Sequence, residues 1–172
     1  MKNIIILNGA GKKNGATAGL INAFSDGAKI AGNEVKEFYL QTMNIHGCLD
    51  CQGCGRKEPG DIHPCVQQDD MNEVYESFIE ADVVVFATPV YWFTITGTLK
   101  TCVDRLYAVQ KNRGLEGTKK DMVLLMTSGA PEEMNKMPIE WYHMFEQIGW
   151  KDLGTVLGAE KAEEAKTLGA NI

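Results

Sequence analysis

The amino-acid sequence predicts an α/β fold in which a parallel sheet of five strands carries helices on both faces. One observation is the order of elements: short apolar runs alternate with helical periodicity as β-α-β-loop-α-β-α-β-α-β-α, which is typical of parallel sheets. The other is residues 83–87, which are apolar without interruption, as in a strand buried on both faces. No internal repeat or linker divides the 172 residues, so we expect a single domain over residues 1–172.

The first part of the chain alternates strand, helix and strand before it becomes irregular. Residues 3–7 are apolar and β-branched, which predicts a short buried strand. Apolar residues then recur at helical spacing over residues 20–31, and Gly32 is a stop signal for this helix. Residues 34–40 predict a second strand, near the edge of the sheet because they are polar. Residues 44–66 lack a clear period, so we expect a long loop inserted into the domain.

The remaining elements repeat the alternation. Asp70 and Glu73 are predicted to cap the helix that follows the loop, and Asp104 and Arg105 to form an ion pair at a later helix end. In order, we predict a helix over residues 71–79, a strand over 83–87, a helix over 95–106, a strand over 122–126, a helix over 141–148, a strand over 153–157 and a helix over 160–169. Five strands at this length fit the flavodoxin-like order 2-1-3-4-5, a three-layer sandwich whose ligands bind at the carboxyl ends of the strands.

Composition excludes several classes of protein. The chain has 17 basic and 23 acidic residues, and its net charge of −6 argues against a nucleic-acid binder, which needs a basic face. Its hydrophobic content of 44 % is too high for a disordered chain. The sequence has no apolar run of about 18 residues, so we expect no membrane-spanning segment. The N-terminus enters an apolar strand without a signal-peptide pattern, and we therefore expect a cytoplasmic protein.

Three predicted loops follow strands one, three and four, and in this strand order they lie side by side. The first, residues 9–17, contains three glycines and leads into a helix, so its backbone N–H groups can point at an anion. It matches neither a Walker loop nor the G-x-G-x-x-G dinucleotide pattern, and a bound monophosphate fits better. The alternative is a tight turn whose lysines, Lys12 and Lys13, are merely solvated.

The other two loops add flat and open surfaces. Residues 88–93 contain three consecutive aromatic side chains, which cannot all be buried in one short turn, so at least one is expected to face a ligand or a partner subunit. Residues 128–131 are small enough to approach a planar ring through backbone groups. Together the three loops predict a pocket for a planar cofactor that carries one phosphate.

The cysteines are concentrated in the long loop. Cys48, Cys51 and Cys54 are separated by two residues each, and Cys65 follows after ten more. Three interpretations stay open: four ligands of a [4Fe–4S] cluster, reduced or disulfide-paired cysteines without a cluster, and a zinc site that includes His63. The fifth cysteine lies on the apolar stripe of a predicted helix and is interpreted as a core residue.

Three segments of the sequence resemble the NAD(P)H-dependent FMN reductases. Residues 8–17, Asn-Gly-Ala-Gly-Lys-Lys-Asn-Gly-Ala-Thr, resemble that family's Gly-Ser-Pro-Arg-Lys-Asn-Gly-Asn-Thr phosphate loop. Residues 88–92, Thr-Pro-Val-Tyr-Trp, with the later Leu-Lys and Asp-Arg pairs, resemble its Ser-Pro-Val-Tyr…Leu-Lys…Asp-Arg block. Cys65 with the following Asp-Asp-Met resembles the iron–sulfur flavoprotein branch, whose last cysteine spacing is shorter.

The resemblance implies a site, cofactors and an assembly. FMN would be bound by Gly9, Ala10, Lys12, Asn14, Gly15, Ala16 and Thr17 at the phosphate, by Pro89, Val90, Tyr91 and Trp92 along the ring, and by Ser128, Gly129 and Ala130 at its other edge. A cluster, where present, would use Cys48, Cys51, Cys54 and Cys65. NAD(P)H is the implied co-substrate and a homodimer or homotetramer the implied assembly. Ala10, Gly11 and Ala16 replace the family's Ser, Pro and Asn, which removes two side-chain contacts to the phosphate.

The hypothesis is an FMN-dependent oxidoreductase that passes electrons from NAD(P)H or a protein donor to a quinone, flavin, metal ion or iron–sulfur acceptor. The flavin carries the chemistry, so we predict no catalytic side chain. The alternatives are an electron carrier without a turnover substrate, which would depend on redox-protein partners, and a zinc-stabilised interaction domain.

Overall fold

The computed structural model describes residues 1–172, apart from the side chain of Glu132. The strands that it describes are β1 (Asn3–Asn8), β2 (Glu34–Tyr39), β3 (Val83–Pro89), β4 (Asp121–Thr127) and β5 (Lys151–Leu157). The helices are α1 (Ala16–Ile30), α2 (Met71–Glu80), α3 (Gly97–Arg105), α4 (Tyr107–Arg113), α5 (Lys136–His143) and α6 (Ala162–Ala170). Among these helices none is both long and apolar enough to cross a bilayer.

The five strands form one parallel sheet in the order β2-β1-β3-β4-β5, which confirms the predicted fold class. The central strands β1, β3 and β4 are almost entirely buried, because helices cover both of their faces. Strand β2 is polar and lies at one edge, as its sequence predicts. The carboxyl ends of all five strands point the same way, so the loops that follow β1, β3 and β4 start from one edge of the sheet.

Each face of the sheet has its own hydrophobic core, because successive residues of a strand point to opposite sides. On one face Ile4, Ile6 and Val85 pack against the apolar stripes of α1 and α6. On the other face Leu7 and Phe86 pack in a larger core with α2, α3 and the aromatic residues near the start of β5. These two cores separate the three layers of the sandwich.

Two predicted helices differ from the structure. The helix predicted over residues 95–106 begins at Gly97, because the Thr96 hydroxyl accepts a hydrogen bond from the Leu99 N–H (3.3 Å) and caps it. A further helix, α4, follows it; its periodic signal is weak because only Ala108 and Val109 of its seven residues are buried. The helix predicted over residues 141–148 is instead α5, which begins five residues earlier and ends in a 3-10 turn over Met144–Ile148.

The predicted cap of α2 is also corrected. The Asp70 carboxylate does not bond the helix; it accepts a hydrogen bond from the Asn44 N–H (2.7 Å) in the long loop. The carboxylate of the preceding residue, Asp69, accepts from the Met71 N–H (3.2 Å) instead. Both acidic side chains therefore help to attach the long loop to the start of α2.

Helices α1 and α6 touch through glycine. A Cβ atom on Gly27 would lie 2.0 Å from the carbonyl oxygen of Lys166, and a Cβ on Gly169 would lie 2.2 Å from that of Phe24. Only glycine allows the two backbones to come this close, and the contact fixes α6 against α1.

This contact predicts opposite effects of two glycine substitutions in α1. Gly27→Ala must push α6 away, and we expect the free energy of unfolding in urea to fall by about 2–3 kcal/mol. Gly19→Ala, in the same helix but facing open space, is the matched control and should raise it by up to about 1 kcal/mol through helix propensity. Equal effects of the two substitutions would contradict the close contact.

Candidate functional site

Backbone hydrogen bonds join the three predicted loops at one edge of the sheet. The Gly9 N–H donates to the Ala87 carbonyl (2.8 Å), and the Val90 N–H donates to the Thr127 carbonyl (2.9 Å). Both bonds continue the ladders between β1 and β3 and between β3 and β4. The predicted adjacency of the loops is therefore present in the structure.

The first loop packs directly against the second and against α3. A Cβ atom on Gly9 would lie 2.5 Å from the Thr96 Oγ1 and 2.6 Å from the Leu99 Cβ, so no larger residue fits. A Cβ on Gly11 would lie 3.0 Å from the Tyr91 hydroxyl oxygen. The glycines of the first loop thus let it lie against the aromatic loop.

The beginning of α1 has the properties of an anion site. Gly15 precedes the helix in an extended conformation and has no side chain that could cap the first N–H groups. The first turn of the helix contains no acidic residue. The Gly15 N–H donates back to the Lys12 carbonyl (3.3 Å), which places Lys12 beside the helix start. Lys12, Lys13 and Asn14 are exposed. Open N–H groups, the helix dipole and two cations fit a phosphate group.

Two residues predicted to bind the phosphate are engaged inside the protein. Thr17 is only 3 % exposed, and its hydroxyl lies 2.8 Å from the Thr127 hydroxyl at the end of β4. The Ala10 N–H donates to the Asn8 Oδ1 (2.9 Å), and Asn8 donates to Glu37 (2.7 Å). These bonds hold the loop in shape. The sequence analysis missed Asn8, although a polar residue at the end of an apolar strand is a signal of a supporting role in the loop that follows.

The aromatic loop forms a tight turn that exposes its rings. Tyr91 and Thr94 exchange two backbone hydrogen bonds (2.9 and 3.2 Å) around Trp92 and Phe93, whose φ angles are +49° and +70°. Two consecutive positive φ angles are typical of a type I′ turn and are costly for residues with a side chain. Trp92 is 90 % exposed, and its ring offers a flat face at the edge of the sheet.

The third loop borders a cavity between the ends of β4 and β5. The Ala130 N–H donates to the Ser128 hydroxyl oxygen (3.1 Å), while Gly129 and Ala130 are exposed. The cavity has a volume of about 540 Å³, and its walls include Asn135 and Thr155. Sequence reasoning missed these two residues, because no pattern places α5 next to β5.

The cysteines of the long loop do not form one ligand set in this structure. Cys48 and Cys51 are exposed, Cys54 is half-buried and Cys65 is buried. Among the described side chains no three metal-binding residues gather at one point. His63 contacts Glu76 (2.6 Å). In this arrangement the four thiols do not fit a cluster.

The fifth cysteine is a core residue, as predicted. Cys102 has no exposed surface, and burial raises the pKa of its thiol to about 12. The thiol therefore stays protonated and packs like a small apolar side chain.

A buried ion pair attaches the long loop to the domain. The Arg105 Nη1 lies 2.7 Å from the Asp69 Oδ2, and both side chains are 1 % exposed. The same Arg105 nitrogen donates to the His46 carbonyl (2.8 Å) at the start of the loop. The predicted Asp104–Arg105 pair is therefore wrong: Arg105 points inward, and Asp104 pairs with Lys100 on the surface.

The partners of Asp69 control its ionisation. Burial by itself would raise the pKa of the Asp69 carboxyl, but hydrogen bonds from the Arg105 guanidinium and the His46 N–H outweigh it and lower the pKa below the ordinary value. The carboxylate therefore stays charged beside Arg105. The His46 ring also lies close to this carboxylate, with its Nδ1 3.6 Å from the Asp69 Oδ2.

Comparison with known proteins agrees with the family resemblance of the sequence. A sequence model of the family described as NADPH-dependent FMN reductase matches residues 2–164. An iron–sulfur flavoprotein of Archaeoglobus fulgidus is 29 % identical over 100 % of this chain and 79 % of its own length. One of Methanocaldococcus jannaschii is 44 % identical over 47 % of this chain, and that match spans 39 % of the relative's length.

A solved structure shows the same fold. The NAD(P)H:quinone oxidoreductase of Methanothermobacter marburgensis superimposes with a TM-score of 0.73, covering 98 % of this chain and 94 % of the other, at 19 % identity. At this identity the likeness concerns the fold alone, which is the flavodoxin-like fold predicted from the sequence.

The buried pair predicts a pH-dependent loss of stability. Because the pKa of Asp69 is lower in the folded state, its contribution is present above the ordinary value of 3.8 and is lost as the pH falls through the folded value. At pH 7 we expect Asp69→Asn to lower the free energy of unfolding by about 3–5 kcal/mol, since Arg105 stays buried without its partner. Urea titrations of both proteins should converge at acidic pH.

The control for this prediction is Asp26→Asn, on the exposed face of α1. Its free energy of unfolding should differ from that of the original protein by less than about 0.5 kcal/mol at pH 7. A loss at Asp69 no larger than the loss at Asp26 would contradict the structural role of the pair.

Proposed function

The chain belongs to the NADPH-dependent FMN reductase family, and on that premise we propose that it is an FMN-dependent NAD(P)H oxidoreductase. It takes electrons from the nicotinamide and passes them through FMN to a quinone, a free flavin, a metal ion or an iron–sulfur acceptor. One observation supports this most: the open helix start, the exposed aromatic turn and the small-residue loop lie at one edge of the sheet. A flat cofactor with one phosphate needs these surfaces.

When bound, FMN supplies hydride and electron transfer at its ring system. The residues of this chain bind and orient it. The N–H groups at the start of α1 and the ammonium group of Lys12 would hold the phosphate. Tyr91 and Trp92 would border the ring, and Gly129 and Ala130 would leave room at its other edge. The buried carboxyl ends of β1, β3 and β4 keep water from the underside of the site.

The second candidate is an electron carrier that has no turnover substrate of its own. The net charge of −6 favours docking on basic redox partners. Both candidates use the same FMN site, so turnover with a nicotinamide separates them. The zinc-stabilised domain would bind no FMN and would release zinc to a chelator.

Three further assignments are proposals of the same kind. The exposed aromatic residues Trp92 and Phe93 support a homodimer or homotetramer, because aromatic side chains are enriched at subunit interfaces. All five cysteines are free, as is usual in a reducing compartment, and this supports a cytoplasmic location. The spacing of Cys48, Cys51 and Cys54 supports a [4Fe–4S] cluster, which would need the loop to bring Cys65 to them; iron and sulfide analysis of anaerobically purified protein decides this.

The FMN-loaded protein should oxidise NADH or NADPH when a quinone or ferricyanide is supplied. We expect flavin absorption bands in the purified protein and steady oxidation of the nicotinamide, followed at its own absorption band. Flavin that is bound but reduced by neither nicotinamide would favour the carrier. A colourless protein that does not take up added FMN would contradict both.

The phosphate site predicts a difference between FMN and riboflavin. Lys12→Ala should weaken FMN binding about tenfold, the equivalent of ~1.4 kcal/mol, because one charge-assisted contact is lost. Riboflavin, which has no phosphate, should bind both proteins equally. Lys29→Ala, in the last turn of the same helix, is the matched control and should leave both affinities unchanged. Fluorescence quenching titrations measure all six dissociation constants, and equal losses of affinity for both flavins in Lys12→Ala would contradict the assignment.

A further inference from the structure

Two hydrogen bonds in series link the edge strand β2 to the first loop. The Asn8 Nδ2 donates to the Glu37 Oε1 (2.7 Å), and the Asn8 Oδ1 accepts from the Ala10 N–H (2.9 Å). Asn8 is 1 % exposed and Ala10 is 3 % exposed, so water has no access to the bond between them. Glu37 lies on the surface. One exposed carboxylate is thus connected through a buried amide to the loop that leads to α1.

The register of the sheet brings these residues together. Ile6 of β1 lies opposite Glu37 of β2, and Asn8 follows Ile6 on the same face of the sheet, because side chains alternate between the two faces. Glu37 and Asn8 are therefore diagonal neighbours on the face that packs against α1. Asn8 is also the last residue of β1, so its amide reaches the backbone of the loop directly after the strand.

Only one orientation of the Asn8 amide satisfies both partners. A carboxylate only accepts hydrogen bonds, and a backbone N–H only donates them. The Glu37 carboxylate therefore takes the NH₂ group of Asn8 and leaves the amide oxygen to Ala10. In the reversed orientation the NH₂ group would meet the Ala10 N–H, and the amide oxygen would meet the carboxylate. Hydrogen bonds to a carboxylate are stronger than those between neutral groups, so Glu37 selects the observed orientation.

The conformation of the first loop depends on this orientation. The N–H groups of Gly9 and Ala10 both point into the protein, where the Ala87 carbonyl and the Asn8 Oδ1 accept them. The chain is thereby fixed at two successive residues before it reaches the exposed Lys12 and the start of α1. A buried N–H that loses its acceptor is unfavourable, and a loop that moves to satisfy it no longer presents the same N–H groups to an anion.

We propose that Asn8 and Glu37 are positioning residues that give the site its preference for FMN over riboflavin, an inference that rests on the proposed function. Glu37 orients the Asn8 amide, and the amide fixes the loop whose later N–H groups, together with Lys12, would hold the phosphate. Neither side chain needs to contact the cofactor. The flavin ring would lie against the other two loops, so the pair acts on the phosphate end of the site alone.

Substitutions at the two positions test the proposal in the full chain by flavin titration. Asn8→Leu removes the acceptor of the buried Ala10 N–H and should raise the FMN dissociation constant about tenfold. Glu37→Leu removes only the partner of the amide NH₂ group and should raise it about threefold, whereas Glu37→Gln keeps an acceptor oxygen and should leave it unchanged. Glu34→Leu, on the opposite face of β2, is the matched control and should also leave it unchanged.

Three further measurements separate positioning from general support of the fold. The riboflavin dissociation constant should stay the same in every variant, because riboflavin has no phosphate. The double variant Asn8→Leu with Glu37→Leu should bind FMN no more weakly than Asn8→Leu alone, because Glu37 acts through Asn8. In the flavin-free protein, hydrogen exchange of the Ala10 amide, followed by NMR, should be faster in Asn8→Leu and Glu37→Leu than in Glu37→Gln.

The results that would overturn the inference differ from a failure of the proposed function. Equal losses of affinity for both flavins would overturn it, since the pair would then support the whole sheet edge. A further loss in the double variant would also overturn it, because Glu37 would then act without Asn8. Unchanged FMN binding in all variants, with normal NAD(P)H oxidation by the original protein, would overturn the inference and leave the proposed function intact. An original protein that binds no FMN would overturn both.

Discussion

The buried ion pair between Asp69 and Arg105 is the constraint on which the arrangement of the long loop depends. Arg105 ends α3, Asp69 precedes α2, and the carbonyl of His46 at the loop start accepts from the same guanidinium. The Tyr75 hydroxyl of α2 also donates to the Arg105 carbonyl (2.9 Å). Two helices and the loop thus share one charged centre. Burying such a pair adds little net stability, but removing either partner leaves a buried charge uncompensated, so the pair holds these segments together.

Different interactions therefore hold the sheet edge and the loop insertion in place. At the edge, parallel strands and close glycine contacts bring three loops together through the backbone, with Gly9 against Thr96 and Gly11 against Tyr91. In the insertion, charged side chains attach the loop to the domain, because the segment has few apolar residues to bury. The flavin site that we propose needs only the first arrangement, so it does not depend on what the cysteines bind.

Most of the sheet and the position of the site could be predicted from the sequence, because both depend on local patterns. Apolar β-branched runs such as residues 83–87 specify strands, and glycine-rich or aromatic segments after them specify loops. What could not be predicted depends on distant partners. Arg105 is adjacent in sequence to Asp104 but pairs with Asp69, 36 residues away. Likewise Asn135 and Thr155 meet at one cavity only because β5 lies beside β4.

The turn at Trp92 and Phe93 affects the entropy of ligand binding. A flexible loop loses conformational freedom when it closes on a flat ring, and this loss weakens the complex. Here the cross-turn hydrogen bonds of Tyr91 and Thr94 and the two positive φ angles leave the backbone few alternatives. The ordering of this segment is thus completed during folding, and a ring that stacks on Trp92 restricts only side-chain torsions. The aromatic turn is preorganised, in the sense that part of the cost of recognition is met before the ligand arrives.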